Sequence, residues 1–433
     1  MNFDTIRFGD LFAEPQKNGL TRPKKVRGSG FPMVNMGELF SYPRIKDISM
    51  DLVPVGEKEN HYFLEEGDLL FARQSLVLSG AGQCSIFLGN KAPTVFESHL
   101  IRCRLNKRTC NPQFYFYFFR SPKGRQVVEA IVEQGAGASG IRGSDLINIL
   151  VPNPPKSFQD AAVSILSTLD DRATLLRETN ETLEAIAQAL FKSWFVDFDP
   201  VHGNAGNQTP TLPPEVQAIF PSAFTDATLG PIPKGWDWKP LNEAYEVNPK
   251  RPMKKGAVAK YLDMASVQTK GHVIENVIER EFGSGTKFCN GDTLLARITP
   301  CLENGKTAFV DFLEPNEVGW GSTEFVVLKP KAPLPTFHGY LLARQSAFRE
   351  FAIQSMSGTS GRQRIQNDVL CRFNLAVPNE QVADTFAQAV SPIQQRISAN
   401  HKYAQTLESL RDMMLPYLIS GQIRVPEAVQ QLE

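Results

Sequence analysis

The stretch Gly67-Asp68-Leu69-Leu70-Phe71-Ala72-Arg73 returns 224 residues later as Gly291-Asp292-Thr293-Leu294-Leu295-Ala296-Arg297. Four further matches follow the same order along the chain, with shifts between 221 and 228 residues. They are Asn35-Met36 with Asp263-Met264, Gly137–Gly140 with Gly358–Gly361, Val151–Asn153 with Val377–Asn379, and Thr182–Glu184 with Thr406–Glu408. Matches in one order at nearly one offset predict a duplicated chain that contains the same unit twice.

Each copy begins with a lobe in which short strand patterns alternate with short helical patterns. Strands are predicted near Gln83–Leu88, Leu100–Leu105, Ala308–Phe312 and Glu324–Leu328. Helices are predicted at Phe114–Phe119, Lys123–Gln134, Tyr340–Ala343 and Ser346–Met356. The dense aromatic run Phe114–Phe119 is typical of a buried core. The fold class expected for the lobes is therefore α+β.

Each lobe is followed by a heptad-like stripe of apolar residues. The stripe of the first copy is Ala162, Ile165, Leu169, Leu176, Leu183, Ile186 and Leu190, and that of the second is Phe386, Val390, Ile393, Ile397, Leu407, Leu410 and Met414, with Asn400 inside it. A long single helix cannot bury such a stripe alone, whereas two can bury their stripes against each other. We therefore expect two long antiparallel coiled-coil helices between two similar lobes, related by a pseudo-twofold repeat.

These patterns divide the chain into five segments. We predict a first lobe at 1–153, a first long helix at 154–200, a linker at 201–234, a second lobe at 235–378, and a second long helix with a C-terminal tail at 379–433. The linker is rich in proline, at positions 210, 213, 214, 221, 231 and 233. This composition favours a mobile connector.

Composition excludes several protein classes. The 433 residues are 42% hydrophobic and 21% charged, as in ordinary globular proteins. No apolar run is long enough to span a membrane, and the N-terminus lacks a secretory signal pattern. Six scattered cysteines form no Cys-x-x-Cys pair. We therefore expect a cytoplasmic protein without a disulfide scaffold or a zinc site.

The net charge of zero conceals a local segregation of charge. Residues 1–150 carry 19 basic and 15 acidic side chains, and residues 235–378 carry 18 and 15. Residues 151–200 carry 4 basic and 8 acidic side chains. Mildly basic lobes suit a polyanion, and acidic helices suit a protein partner.

Two motifs resemble catalytic signatures but lack the required context. Gly135–Gly140 fits G-x-G-x-x-G, yet a helical pattern precedes it and a strand pattern follows, the reverse of a dinucleotide loop. Asn153-Pro154-Pro155-Lys156 has lysine where adenine methyltransferases place the aromatic residue that stacks on a flipped base. The six histidines show no ligand spacing. We therefore predict a chain without catalytic residues, metal or cofactor.

Basic and polar residues in predicted loops are the candidates for contact with DNA. Lysine and arginine suit phosphates, and arginine and serine also read base edges. Arginine lies beside the repeated glycine turn of both lobes. The candidates are Lys24, Lys25, Arg27, Arg73, Ser139, Arg142, Lys250, Arg251, Lys254, Lys255, Arg297, Ser360, Arg362 and Arg364.

The helix segments resemble a known family. Ile165–Asp171, Asn180–Ile186 and Leu190–Phe198 closely resemble the first spacer helix of type I restriction–modification specificity subunits. Leu229–Trp236 is similar to the entry of their second recognition domain. Leu407–Asp412, Leu415-Pro416 and Ile419–Gly421 resemble their second helix.

The resemblance implies that two target recognition domains each read one half of a split, asymmetric site in double-stranded DNA. The helix pair would measure the unread spacer and dock two modification subunits, which bring S-adenosylmethionine. Restriction subunits, which use ATP, would join to cleave. The residues expected to form the helix pair and its dock are Leu169, Leu176, Leu183, Ile186, Leu190, Trp194, Ile393, Ile397, Leu407, Leu410 and Met414.

Two other interpretations remain open at this point. The chain could be a self-contained adenine DNA methyltransferase fused to its reader. It could also be an assembly adaptor whose lobes bind protein instead of DNA.

Overall fold

A computed structural model describes residues 3–423 except 136, 275 and 360. The chain divides into two compact units. Unit 1 contains the residues up to Ala173 together with those from Thr406 onward, and unit 2 is Thr174–Gln405. Each unit thus contains one lobe and part of both long helices. None of the described helices is long and apolar enough to cross a membrane.

Unit 1 contains a five-stranded sheet in the order β2-β10-β6-β8-β4, with the smaller sheets β5-β3-β9, β11-β12-β7 and β1-β13. Its strands are β1 (Thr5–Arg7), β2 (Lys17–Asn18), β3 (Phe31–Val34), β4 (Arg44–Ile45), β5 (Asp51–Val53), β6 (Leu69–Ala72), β7 (Gln74–Ser75), β8 (Cys84–Phe87), β9 (Val95–Phe96), β10 (Leu100–Cys103), β11 (Glu133–Gln134), β12 (Ser139–Gly140) and β13 (Leu150–Pro152). Its helices are α1 (Met36–Ser41), α2 (Pro112–Arg120), α3 (Pro122–Glu129), α4 (Gly143–Leu146) and the start of α5 (Lys156–Phe195). Short 3₁₀ turns cover Phe8–Leu11, Lys24–Val26, Glu57–Tyr62 and Leu78–Gly80.

Unit 2 contains the sheets β17-β24-β21-β22, β19-β18-β23-β20, β16-β25 and β14-β15. Its strands are β14 (Phe224–Thr225), β15 (Ile232–Pro233), β16 (Asp237–Pro240), β17 (Tyr245–Val247), β18 (Val258–Leu262), β19 (Ile278–Glu281), β20 (Thr286–Phe288), β21 (Thr293–Ala296), β22 (Thr307–Phe309), β23 (Gly319–Gly321), β24 (Phe325–Pro330) and β25 (Asn374–Val377). Its helices are α6 (Asp199–Asn204), α7 (Pro214–Gln217), α8 (Leu241–Ala244), α9 (Thr336–Arg344), α10 (Ser346–Gln354), α11 (Asn367–Leu370) and most of α12 (Glu380–Ser420).

The two lobes repeat the same central strand pairings, which confirms the predicted duplication, although the main sheet has five strands in unit 1 and four in unit 2. In each lobe a strand of the opening segment pairs antiparallel with the last strand before a long helix, as β1 does with β13 and β16 with β25. β3 pairs antiparallel with β5 and parallel with β9, and β18 repeats this with β19 and β23. The repeated heptapeptide forms the buried strands β6 and β21 in the larger sheets.

The turn before these strands explains why glycine and aspartate recur. Gly67 and Gly291 have φ values of 92° and 88°, a conformation that residues with a Cβ rarely adopt. The carboxylate of Asp68 accepts a hydrogen bond from the Glu65 amide at 2.8 Å, and that of Asp292 accepts one from the Cys289 amide at 2.7 Å. The side chain therefore closes the same turn in both copies.

The long helices α5 and α12 pair antiparallel within each unit. In unit 2, the Trp194 ring lies 5.5 Å from that of Phe386, and Asn400 donates to the Asn180 side chain at 2.9 Å. In unit 1, Asp170 accepts a hydrogen bond from Arg411 at 2.5 Å. As the residue number rises along α5, the number of the contacting residue on α12 falls, as antiparallel packing requires. The predicted α+β fold with a paired long helix after each lobe is confirmed.

The seam of α5 differs in one column from the prediction. The column of residues 162, 169, 176, 183 and 190 is half-buried or buried, as expected. In the column expected to contain Ile165 and Ile186, Ile165 is buried as predicted, whereas the expectation for Ile186 is wrong because that side chain is 45% exposed. The second buried column of α5 instead consists of residues spaced seven apart, which are Gln159, Leu166, Ala173, Asn180, Ala187 and Trp194.

This column escaped the hydrophobic pattern because most of its members are small or polar. The Gln159 side chain is fully buried and accepts a hydrogen bond from the Asn111 amide at 2.8 Å. Asn180 bonds across the helices to the Ile397 carbonyl and the Asn400 side chain, and Ala173 and Ala187 are buried. In α12 the predicted seam is confirmed, with Ile393 and Leu410 half-buried and the other members buried.

The expectation of a mobile connector at 201–234 is wrong for this structure. The segment forms α6, α7 and the β14–β15 hairpin, and the side chains of Asn204 and Gln217 hydrogen-bond each other at 2.8 Å. Val201, Phe220 and Ile232 are buried in the core of unit 2. Proline here limits φ in short turns, and the apolar residues between the prolines provide the packing that orders them.

The core of unit 2 contains an uncharged histidine. His338 is buried among aromatic rings, with Phe191 at 4.9 Å and Phe195 at 5.1 Å, and its Nδ1 lies 2.5 Å from the Tyr245 hydroxyl. Burial lowers the pKa of His338 from 6.5 to about 3. The histidine is therefore neutral in the folded protein at any pH near neutrality.

His338 should make unit 2 less stable in acid. Below pH 6.5 the unfolded chain protonates this histidine and the folded chain does not, so His338 contributes a fall of about 1.4 kcal/mol per pH unit in the free energy of unfolding. His272, whose pKa burial also lowers to about 3, contributes a similar fall. Thermal unfolding between pH 7.5 and pH 4.5 should show this slope, and His338→Asn should reduce it. His99→Asn is the control, since the His99 side chain is 56% exposed. An unchanged slope in His338→Asn would contradict the assignment.

Candidate nucleic-acid interface

The same backbone frame holds an arginine at the end of the repeated strand in both lobes. The Arg73 amide donates to the His99 carbonyl at 2.8 Å, and the Arg73 carbonyl accepts from the Ile141 amide at 2.9 Å. In unit 2, the Arg297 amide donates to the Glu324 carbonyl at 2.9 Å, and its carbonyl accepts from the Ile365 amide at 3.0 Å. In each lobe the backbone of the arginine is therefore hydrogen-bonded to two other chain segments, which fix its position.

In unit 1 this frame presents a polar surface. The Arg73 side chain is exposed, with no partner among the described residues. β7, which follows Arg73 directly, pairs with β12, and this pairing places Ser75 opposite Ser139. Arg142 is exposed and forms an ion pair with Glu133 at 2.7 Å. Arg73, Ser139 and Arg142 therefore lie on neighbouring segments of unit 1.

The glycine-rich motif beside this surface is a hairpin. Gly135 follows β11, and its amide donates to the Ala138 carbonyl at 2.9 Å, just before β12. The expectation of a turn from helix to strand is therefore corrected to a turn between two strands. The strand β12 follows this turn, whereas a dinucleotide loop leads directly into a helix.

In unit 2 different side chains occupy the corresponding frame. Arg297 is half-buried and its Nη2 lies 3.4 Å from the Gln366 amide oxygen. Arg364 donates to both carboxylate oxygens of Glu324, the closest contact being 2.6 Å. This hydrogen bonding lowers the pKa of Glu324 and raises that of Arg364. Arg362 is exposed in the adjoining loop, and Ser360 lies outside the described residues.

The predicted lysine loops are exposed. Lys24 and Lys25 lie on a 3₁₀ turn, and Arg27 beside them pairs with Asp51 at 2.7 Å. Lys250, Lys254 and Lys255 are exposed in the second lobe. Among the described residues, no side-chain contact connects these lysines to Arg73 or Arg297.

Arg251 is a structural residue, which corrects its place among the DNA candidates. Its side chain is only 10% exposed and lies 2.7 Å from the Asp292 carboxylate, which is itself 2% exposed. It also donates to the Lys287 carbonyl at 3.2 Å. The equivalent aspartate of unit 1, Asp68, pairs with Arg104 at 2.8 Å. Both lobes therefore neutralise the turn aspartate with a buried arginine, from different places in the sequence.

The predicted docking residues mostly form the seam within the chain. Leu169, Trp194, Ile397, Leu407 and Met414 are buried. Leu176, Leu183, Leu190, Ile393 and Leu410 are half-buried, and only Ile186 is exposed.

Sequence reasoning missed the apolar residues on the outside of the helices. On α5, Leu175 is 62% exposed and lies eleven residues from Ile186, so both face the same direction. On α12, Tyr403 is exposed in unit 2, and Met413 and Tyr417 are exposed in unit 1. A second missed feature is the exposed loop Leu76-Val77-Leu78 beside Arg73. No local signal marked this loop, because an apolar triplet usually predicts a buried strand.

Comparisons with known proteins find similarity to one group of proteins. Residues 2–185 match the family described as type I restriction modification DNA specificity domain. The MjaIX specificity subunit of Methanocaldococcus jannaschii is 23% identical over 330 residues, which are 73% of this chain and 70% of that protein. The HindI specificity subunit of Haemophilus influenzae is 22% identical over 420 residues, covering 83% of this chain and 87% of the relative.

A solved structure of similar extent is the S subunit of a type I restriction-modification system from M. genitalium. It aligns over 96% of both chains with a TM-score of 0.49 and 15% sequence identity. The family match over residues 2–185 and the similarity over most of the chain to these curated relatives make this chain similar to the specificity subunits of type I restriction–modification systems.

Proposed function

We propose that the two lobes, residues 1–153 and 235–378, each read one half of a bipartite, asymmetric DNA site. The observation that carries the proposal is the repeated backbone frame with different side chains on it. Unit 1 places Arg73 and Arg142 there, and unit 2 places Arg297, Gln366 and the Arg364–Glu324 pair. One scaffold with two sets of hydrogen-bonding groups suits two different half-sites.

Exposed cations supply the affinity that does not depend on sequence. Within the proposed interface, the side chains without an acidic partner among the described residues are Lys24, Lys25, Arg73, Lys250, Lys254, Lys255 and Arg362. Arg27, Arg142 and Arg364 are positioned by carboxylates and suit recognition of bases more than neutralisation of phosphates.

The helix pair is proposed to dock the modification subunits. Leu175 and Ile186 form an exposed apolar face on α5, and exposed aliphatic side chains on a helix suit packing against partner helices. The same helices, 40 and 41 residues long, would set the unread spacer between the half-sites. Two modification subunits and the restriction subunits complete the proposed complex, which acts on DNA in the cytoplasm.

The chemistry is assigned to the partners. Modification subunits would bring S-adenosylmethionine and methylate adenine, and restriction subunits would cleave with ATP. The Asn153-Pro154-Pro155-Lys156 motif precedes α5, where Lys156 pairs with Asp160 at 2.8 Å. It serves as a helix entry and offers no stacking face.

Arg73→Ala should weaken DNA binding by the complex of this chain with its modification subunits. Loss of one phosphate contact should reduce the slope of log affinity against log salt by about 1 and the affinity by about tenfold at low salt. The probe is a duplex carrying the motif obtained by mapping methylated adenines in cells that contain the complex. Arg372→Ala is the control, since Arg372 is exposed on α11's C-terminal side and outside the proposed interface.

The same preparation tests the alternative functions. The purified chain given S-adenosylmethionine and DNA should transfer no methyl group, and transfer would favour a self-contained methyltransferase. An unchanged salt slope in Arg73→Ala would favour lobes that bind protein.

A further inference from the structure

The loop that follows Arg73 exposes three aliphatic side chains in a row. Leu76 is 89% exposed, Val77 60% and Leu78 45%. Single exposed aliphatic residues are common on proteins, whereas a contiguous exposed cluster marks a surface that contacts something. Phe40, 43% exposed, borders the loop at Gly80 and extends this cluster.

The loop is held in this conformation by its own contacts. The Ser75 hydroxyl accepts a hydrogen bond from the Val77 amide at 3.2 Å. The Ser79 carbonyl accepts from Arg125 at 3.1 Å and from the Gln83 side chain at 3.3 Å. The exposure of Leu76 is therefore built into the fold, and binding would require little ordering of the loop.

The charge around the loop suits a polyanion. No acidic residue occurs between Gln74 and Gln83. Arg73 precedes the loop, Arg125 supports it, and Arg142 lies just beyond the neighbouring strand β12. Two carboxylates on neighbouring elements are already paired, Glu129 with Arg125 at 3.2 Å and Glu133 with Arg142 at 2.7 Å.

We propose that this loop enters a groove of DNA and that Leu76 makes apolar contact with bases of the half-site read by the first lobe. This inference rests on the proposed DNA-reading function and names the group that contributes to sequence selection. Aliphatic side chains contact bases in two ways, against the thymine methyl group in the major groove or as a wedge between base steps in the minor groove. Arg73 at the start of the loop would hold the adjacent phosphate.

The second lobe lacks this feature. After Arg297 the corresponding segment contains Leu302, which is buried, and Glu303 and Asn304, which are exposed. The two lobes therefore present an apolar tip and a polar tip at the same position of the repeat. This difference provides a physical reason for the two halves of the site to differ.

The test compares Leu76→Ser with Leu150→Ser in the complex with modification subunits. Leu150 is 57% exposed in the same unit, on β13, so both variants should fold with unchanged thermal stability. On duplexes carrying the mapped motif, Leu76→Ser should bind about tenfold more weakly. The slope of affinity against salt should stay unchanged, because no cation is removed. Leu150→Ser should bind like the wild type.

Two modified duplexes distinguish the modes of contact. Uracil is placed instead of thymine in one half-site at a time, which removes the methyl group. A major-groove contact predicts that, for one of the two half-sites, wild-type protein binds the uracil duplex as weakly as Leu76→Ser binds the normal one. A wedge predicts that 2-aminopurine fluorescence in one half-site rises with wild-type protein and not with Leu76→Ser. Either result supports the inference.

Two outcomes would overturn it. Unchanged binding by Leu76→Ser would exclude a base contact, and loss of modification subunits from this variant on a sizing column would assign the loop to protein docking. Absence of any bipartite methylated motif with the wild-type complex would overturn the proposed function as well. A mapped motif with unaltered binding by Leu76→Ser would overturn only the inference.

Discussion

Ile397→Asp is expected to lower the free energy of unfolding by about 4 kcal/mol and to release the modification subunits. Ile397 is 1% exposed in the seam of α12, and its carbonyl accepts a hydrogen bond from the Asn180 side chain at 3.1 Å. The substitution removes buried apolar surface and places a carboxylate at a position that water does not reach, so both the lost packing and the buried charge destabilise the pair. Thermal unfolding and size-exclusion chromatography of the complex measure the two effects.

Two matched variants separate folding from docking. Gln395→Asp adds the same charge two residues away at an exposed position of α12, and it should change stability by less than about 0.5 kcal/mol. Ile186→Asp alters the exposed outer face of α5, so the chain should remain folded while modification subunits dissociate. Retention of the subunits by Ile186→Asp would place the dock elsewhere, and a stable Ile397→Asp would contradict the seam.

Arg251→Ala is expected to destabilise unit 2 by about 3–5 kcal/mol while leaving DNA affinity of the folded protein unchanged. The substitution leaves the Asp292 carboxylate, whose pKa burial already raises, without its cation in the interior. The Lys287 carbonyl loses a donor as well. Thermal unfolding should show the loss, and DNA binding should be measured well below the melting temperature.

A double replacement tests whether the unpaired charge is the cause. Asp292→Asn keeps an oxygen that can accept from the Cys289 amide and removes the charge. Arg251→Ala combined with Asp292→Asn should therefore be more stable than Arg251→Ala alone. Lys254→Ala, at an exposed site nearby, should leave stability unchanged and weaken DNA binding. The opposite pattern, in which Arg251→Ala is stable but binds DNA poorly, would show that Arg251 contacts DNA.

Much of the architecture followed from local patterns in the chain. The repeated Gly-Asp turn and its buried strand predicted the duplication, because a positive φ and a side-chain-closed turn need the same residues wherever the turn occurs. The column of Leu169, Leu176 and Leu183 predicted the paired helices, because a heptad spacing records which side of a helix is buried. The aromatic run of α2 was likewise confirmed as core.

Tertiary structure alone decided the rest, because the deciding partners lie far apart in sequence. Asn180 belongs to the seam because it bonds to α12, and Ala173 and Ala187 are buried in the same column of α5, although the hydrophobicity of these residues does not mark them. Arg251 is assigned a structural role instead of a DNA contact because Asp292, 41 residues away, binds its guanidinium in the interior. Leu76 lies outside the core because Ser75, Arg125 and Gln83 fix the loop that carries it. A sequence records the periodicity of buried surface, whereas the pairing of each charge and the exposure of each loop depend on contacts that only the folded chain creates.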